Sequence, residues 1–316
     1  MSNRDFKKQY EHKRVLVTGA GGFIGSFLSR ALIDVGADVH AAVQSKEHAN
    51  RLRDTAVQLH EGDLTDASMA SQILRAAKPD IVFNTASSVN TERDFKLLDS
   101  IIQRTHGITH NVLIASVAAS TERFIQFGSI DEYGTAKAPF RESTREEPYS
   151  PYSLGKVMAT HEVLTVGRMV GMNTSVVRPA ATFGPGKDGM LIPNLIRSGL
   201  EGKDFDMNQG EQVRDLIYID DLALGVLAVG ASEHARGEIF NLGSNRGYRV
   251  REVADMVNEA MGNPIKIHFG AQPYRPLDPM EFYMDSSKAR NVLGWEAKTE
   301  LKEGIEKTVA WFKENR

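Results

Sequence analysis

The chain is 316 residues long, carries a net charge of −3 with 25% charged residues, and contains no cysteine. Disulfides, thiolate catalysis and zinc–sulfur sites are thereby excluded, and no bulk electrostatic pull toward nucleic acid or membrane is expected. Residues 1–13 are too polar for a signal peptide, and no apolar run approaches the roughly 20 residues of a membrane span, so a soluble, cytoplasmic protein without a metal site is expected.

In chain order, Val15-Leu16-Val17 is a short apolar run stopped by Thr18-Gly19, and a helical pattern follows with Phe23, Ile24, Phe27, Leu28, Ala31 and Leu32. Gly19, Gly22 and Gly25 fall in this strand-to-helix turn. Glycine there permits positive φ and close approach of a phosphate, while the helix start offers free N–H groups and partial positive charge. In that context the glycines read as a dinucleotide pyrophosphate site rather than an ordinary turn. Gly36-Ala37-Asp38 turns the chain into residues 39–43, which run on through Gln44-Ser45-Lys46 without a carboxylate. An acidic residue at that strand end would favour NAD by binding the ribose 2′-hydroxyl. Gln44, Ser45 and Lys46, with Arg51 or Arg53, suit a 2′-phosphate, so NADP(H) is expected ahead of NAD.

Residues 58–60 lead to Gly62-Asp63-Leu64, where Asp63 is placed to accept a hydrogen bond from the adenine amino group; Thr65 or Asp66 suits the following helix cap better. Ile81-Val82-Phe83 leads to Asn84-Thr85-Ala86, residues 124–127 to Gly128-Ser129, and Ser175-Val176-Val177 to Arg178-Pro179. β-rich runs separated by helical stretches read as an α/β, doubly wound parallel sheet of the Rossmann type. In such sheets ligands bind outside the carboxyl ends of the strands. The expected cofactor set is Gly19, Gly22, Phe23, Ile24, Gly25, Gln44, Lys46, Asp63, Leu64 and Ala86, joined by Tyr152 and Lys156. From about residue 180 the pattern loosens, with glycine and proline punctuating 183–193 and 269–279. Residues 1–178 are expected to form the NAD(P)-binding domain and 179–316 mainly a smaller substrate lobe, with about 212–243 returning to the first domain. Leu301, Ile305, Val309 and Phe312 have the spacing of a packing helix.

Ser150 is a good helix N-cap and Pro151 a good first helical residue, which puts Tyr152 and Lys156, at i and i+4, on one face of the first turns. A free tyrosine has a pKa of about 10, too high for efficient proton exchange at neutral pH. A fixed ammonium and an oxidised nicotinamide both favour the phenolate and are expected to lower it. Lys156 can also hold the nicotinamide ribose hydroxyls. Ser129 ends a strand upstream, and its hydroxyl can bond the oxygen that Tyr152 protonates. A hydride carrier beside a proton donor implies carbonyl reduction or alcohol oxidation.

Together, Thr18 to Gly25, Gly62-Asp63-Leu64, Asn84 to Ala86, Ser129 to Gly134, Ser150 to Lys156, Arg178-Pro179 and Arg214-Asp215 to Asp220 resemble the extended short-chain dehydrogenase/reductases of the NAD-dependent epimerase/dehydratase family, which modify nucleotide sugars. The resemblance implies Ser129, Tyr152 and Lys156 as the catalytic set, Arg214 and Arg275 as the grip on a sugar-nucleotide diphosphate, and a homodimer formed by two helices per subunit. Ser88 and Asp131 complete the expected substrate set. Two positions depart from the family pattern: Gly155 stands where serine is usual and Ala181 where many relatives have asparagine. A 4,6-dehydratase needs an acid–base pair directly after the catalytic serine or threonine, and Ile130 takes the first of those places. The form Gly128-Ser-x-x-Glu132-Tyr-Gly134, with no acid at the second strand end, resembles reductases of GDP-4-keto-6-deoxymannose and similar sugars. Reduction of an NDP-4-keto-6-deoxyhexose is therefore expected ahead of 4-epimerisation or 4,6-dehydration. A non-catalytic NADP(H)-binding sensor is the distant alternative, since such proteins commonly lose the tyrosine or lysine kept here.

Overall fold

The computed structural model describes residues 6–315; of the polar N-terminal stretch, residues 1–5 lie outside them. The first part of the chain alternates β1 (Arg14–Thr18), α1 (Phe23–Asp34), β2 (Asp38–Val43), β3 (Gln58–Glu61), α2 (Ala67–Ala77) and β4 (Ile81–Asn84). Then α3 (Leu98–Ile102), a π-helical turn (Gln103–Gly107) and α4 (Ile108–Ala118) lead to β5 (Arg123–Phe127), α5 (Pro151–Val170) and β6 (Asn173–Pro179). With β7 (Ile239–Leu242), they form one parallel sheet in the order β7-β6-β5-β4-β1-β2-β3. The chain leaves β3 at one edge and returns on the far side of β1 as β4, so the winding reverses between β1 and β4. There Thr18 lies beside Asn84. A reversal of this kind opens a crevice at the carboxyl ends of the strands.

The central strands are apolar on both faces because helices cover both. Alternation assigns the faces. Val15, Val17, Ile81, Phe83, Ile125 and Phe127 join the larger core, with Leu28 and Leu32 of α1. Leu16, Val82 and Phe124 point the other way, onto Leu74 of α2 and Leu113 of α4.

Between β6 and β7 the chain forms α6 (Leu191–Glu201) and α7 (Ile219–Ala231), the latter packing on α1 through the larger core. Beyond β7 come α8 (Val250–Met261), α9 (Ser287–Leu293) and α10 (Leu301–Glu314). Short strands tie this half together: Ala181–Phe183 pairs with Leu216–Tyr218, and Val213–Arg214 lies between Tyr248–Arg249 and Glu281–Phe282. Leu301, Ile305, Val309 and Phe312 are all buried along one face of α10. No helix among the described residues is long and apolar enough to cross a membrane.

The structure gives Gly155 a steric reason. A Cβ there would stand 3.0 Å from Cβ of Thr105, so glycine lets α5 lie close against the π-helical turn.

Candidate functional site

The glycine turn after β1 is held by close backbone contacts. Gly19 has φ +63, and a Cβ on it would stand 2.8 Å from Cα of Ala86 in the loop after β4. On Gly25 a Cβ would reach within 2.4 Å of the Gly19 carbonyl oxygen. The tightest approach is at Gly21, where a Cβ would fall 1.8 Å from the carbonyl oxygen of His48. Three glycines in a motif gave no hint that this fourth one meets the segment after β2. Gly22 is the N-cap of α1 and supplies no side-chain cap, so the first N–H groups of the helix are left for an anion. Phe23 and Ile24 are half-buried in that first turn. This cradle and donor set fit a dinucleotide pyrophosphate.

At the end of β2, Gln44 and Lys46 are exposed. Ser45 Oγ donates to Glu47 Oε2 at 2.5 Å and lies 2.9 Å from Nδ1 of His48. A carboxylate therefore does stand near this strand end, one residue beyond Lys46, held below the usual carboxylate range by the Ser45 hydroxyl. Arg51 donates to the carbonyl of Gly186 at 2.7 Å and reaches Asp188 at 3.3 Å. Asp63 accepts from the N–H and hydroxyl of Thr65 at 2.9 and 2.8 Å, and these bonds hold its carboxyl below the usual range. Asp66 caps α2 through the Ser68 N–H, leaving Asp63 outside the helix; Leu64 is buried between them.

Behind the crevice runs a buried polar chain that the sequence did not disclose. Thr18 Oγ1 donates to Asn84 Oδ1 at 2.6 Å, Asn84 Nδ2 to Gln126 Oε1 at 2.7 Å, and Gln126 Nε2 to the Phe127 carbonyl at 2.9 Å. Lys156 Nζ donates to the same carbonyl at 2.8 Å. The chain satisfies polar groups buried at the ends of β1, β4 and β5, where leaving them unpaired is costly. It also joins the glycine turn to Lys156.

Tyr152 and Lys156 take their places because α5 starts where its cap dictates. Ser150 Oγ accepts from the Ser153 N–H at 3.1 Å, and Pro151 occupies the first turn. Tyr152 and Lys156 are both buried, with Nζ 5.7 Å from the tyrosine ring centroid. Burial drives the Tyr152 phenol well above its ordinary range, Asp131 adds to this, and a hydrogen bond with Ser129 opposes it. The expected lowering by Lys156 is thus corrected: among the protein's own groups, desolvation wins. Burial pushes Lys156 down to about 8, against the pull of Glu132 and Asp131. Ser129 caps the short turn Ile130–Tyr133; its N–H donates to Glu132 Oε1 at 2.8 Å and its hydroxyl to Asp131 Oδ2 at 2.8 Å.

The other carboxylate oxygen of Asp131 accepts from the Tyr149 hydroxyl at 2.9 Å. The Arg93 guanidinium lies over the Tyr149 ring, 4.5 Å from its centroid. Arg93 and Arg214 share the Asp278 carboxylate at 3.5 and 3.0 Å, and Nη1 of Arg93 is buried without a hydrogen-bond partner among the described residues. Arg214 also donates to the carbonyls of Val213 and Pro279. Arg275 is exposed on the loop 270–280, and it is Asp278 of that loop that meets Arg214. Ser88 is half-buried in the loop after β4, its N–H donating to the Arg104 carbonyl. Arg93, Tyr149 and Asp278 have no motif around them; only a position near the carboxyl ends of the strands could have singled out Arg93.

A Rossmann-type sheet, an open glycine-lined helix start and a buried Ser-Tyr-Lys set are the parts of a dinucleotide-binding enzyme scaffold. The chain belongs to the NAD dependent epimerase/dehydratase family, whose model matches residues 15–243. It is 29% identical to the UDP-glucose 4-epimerase of Lactobacillus helveticus over 94% of this chain and 96% of that one. Among solved structures it resembles the UDP-glucose 4-epimerase of Thermotoga maritima with UDP-glucose (TM-score 0.88, 27% identity, covering 95% and 99% of the two chains). It also resembles a double mutant of DesIV, a dTDP-glucose 4,6-dehydratase of Streptomyces venezuelae, with NAD bound (TM-score 0.86, 25% identity, 96% and 98%).

Proposed function

We propose that the protein interconverts an alcohol and a ketone at C4 of a nucleotide sugar, and that it does so as a 4-epimerase. The observation that carries this is the catalytic constellation. Tyr152 and Ser129 are both buried at the crevice, and Lys156 is anchored at the carboxyl end of β5 by a network running to the glycine turn. NAD, if held at that turn, would supply a hydride acceptor and donor and, when oxidised, a positive charge. Tyr152 moves the proton at O4, Ser129 orients that oxygen, and Lys156 holds the nicotinamide ribose. A phenol raised by burial is neutral at pH 7 and suits proton donation. Its use as acceptor in the oxidising half depends on positive charge nearby.

Epimerisation needs only this set. Dehydration needs a further acid–base pair, but Ile130 is buried and apolar while Glu132 is fully buried against Arg178, which leaves Asp131 alone. The reductase preference is weaker, since Glu132 has a structural partner and Glu47 places a carboxylate in the turn that follows β2. Net reduction with NADPH is kept as a second reading because Gln44, not an acid, stands directly after the strand. In the favoured reading residues 1–178 supply the cofactor groups, and 179–316, apart from about 212–243, mainly the substrate lobe. Arg214 and Arg93 hold the diphosphate, with Arg275 joining from its loop. A homodimer through α4 and α5 is part of the proposal, supported by exposed Ile114, Met158 and Met169.

The test is incubation with UDP-glucose or dTDP-glucose and either NAD or NADP, followed by proton NMR of the sugar. Epimerase activity gives the C4 epimer with no net NADH. Loss of the 6-hydroxyl would make it a dehydratase, and stoichiometric NADPH consumption with a 4-keto sugar nucleotide would make it a reductase.

A further inference from the structure

The loop between the strand Ala181–Phe183 and α6 lies in the half of the chain expected to serve mainly the substrate, yet it packs against the glycine turn. A Cβ on Gly184 would stand 2.5 Å from Ile219 Cγ2 and 3.6 Å from Phe23 Cζ, so this backbone runs against the first residues of both α7 and α1. Gly186 has φ +72, and a Cβ there would meet Arg51 Nη1 at 2.9 Å and the Trp311 ring at 3.3 Å. Arg51 fastens the loop through the Gly186 carbonyl and Asp188, and Arg197 of α6 pairs with the same carboxylate. Arg51 itself belongs to the turn Lys46–Leu52, whose His48 carbonyl is the group that Gly21 makes room for. The loop is thus held on the glycine turn from two directions.

One cation of this loop has no partner. Lys187 is half-buried, and its Nζ lies 5.1 Å from the centroid of the Phe23 ring. Among the described residues it has no hydrogen-bond acceptor and no carboxylate at ion-pair distance, since the neighbouring Asp188 is taken by Arg51 and Arg197. An aromatic face attracts an ammonium but offers it no acceptor. Long lysine side chains usually carry the head group out to water. This one is laid on the residue that opens α1, the helix whose first N–H groups are left for an anion.

We propose that Lys187 is a cofactor-binding residue, its ammonium pairing with the pyrophosphate of a dinucleotide seated on the start of α1. The glycine turn needs such a group: residues 18–25 hold no charged side chain, and the helix start offers only N–H groups and a partial charge. A compact ammonium on a flexible stem suits a phosphate oxygen. Burial, and then the Arg51 charge, draw Lys187 below the usual lysine range with Asp188 opposing, so an added anion is favourable there. The contact comes from beyond residue 178, which makes the second half of the chain part of the cofactor site.

The inference rests on the reading of the glycine turn as a dinucleotide site, but its test follows binding alone and needs no sugar. NADH and NADPH are titrated by fluorescence, and ADP-ribose by calorimetry, into the full-length protein and its Lys187→Met variant. Methionine keeps an apolar stem on Phe23 and removes the charge. It should raise the Kd for all three ligands alike, by about tenfold or more, and flatten the salt dependence of NADH binding. Lys187→Arg keeps the charge and should recover most of the loss. Equal Kd values in the parent and Lys187→Met overturn the proposal while leaving the dinucleotide reading in place. A loss confined to NADPH also overturns it, because Lys187 then meets a 2′-phosphate instead. If the unaltered protein binds none of the three, the reading of the glycine turn fails and takes the proposal with it.

Discussion

Asp215 offers a quantitative check on how the second half of the chain is held. It follows Arg214, is 1% exposed, and accepts from the N–H and hydroxyl of Ser244 at 2.8 and 2.7 Å. Burial pushes its carboxyl up to about 6, against the lowering effect of those bonds. The folded protein therefore holds this proton more tightly than the unfolded chain, whose aspartate titrates near 3.9. The stabilisation from proton binding is complete below about 3.9 and is lost as pH rises through about 6. The full loss is about 3 kcal/mol, and about half of it, roughly 1.4 kcal/mol, falls between pH 5 and pH 8. Asp215→Asn keeps an oxygen for Ser244 and removes the titration. Urea unfolding of both proteins at pH 5 and pH 8 should show the variant gaining about 1.4 kcal/mol on the parent between the two pH values. Parallel pH dependence of the two proteins would refute the assignment of a buried, proton-holding Asp215.

Tyr152→Phe should lower turnover of the reactive sugar nucleotide by about 10²–10⁴-fold while NADH binding, followed by fluorescence, stays within a few fold. Gly21→Ala places a methyl against the His48 carbonyl and should weaken NADH binding by about tenfold or more, with little loss of helix content by circular dichroism. Arg93→Met removes one of the two guanidinium groups that share Asp278. It should raise the Kd for UDP by about tenfold in calorimetry, whereas an unchanged Kd would take Arg93 out of the diphosphate site.

What was legible in the sequence is what local physics writes locally. Ser150-Pro151 starts α5 where its capping chemistry requires, and so fixes Tyr152 and Lys156. The apolar runs at β1, β4 and β5 lie in the sheet, each stopping where a polar loop residue meets the crevice. The remainder depends on contacts between distant segments. Asn84 and Gln126 look like defects in apolar strands until Thr18 and Lys156 are seen at either end of their chain. Gly21 is indistinguishable from its neighbours until His48 is placed against it. The sharpest case is the pair of acids behind Ser129. By spacing alone, Asp131 and Glu132 are equivalent candidates for a reacting carboxylate. The fold separates them by partner: Asp131 is held by two hydroxyls at the edge of the cleft, whereas Glu132 is drawn into the interior by Arg178, 46 residues away. Glu132, bonded both to Arg178 and to the Ser129 N–H, belongs to the scaffold behind Ser129. Of the two acids, Asp131 is thus the one beside Ser129 whose partners are hydroxyls rather than a buried arginine.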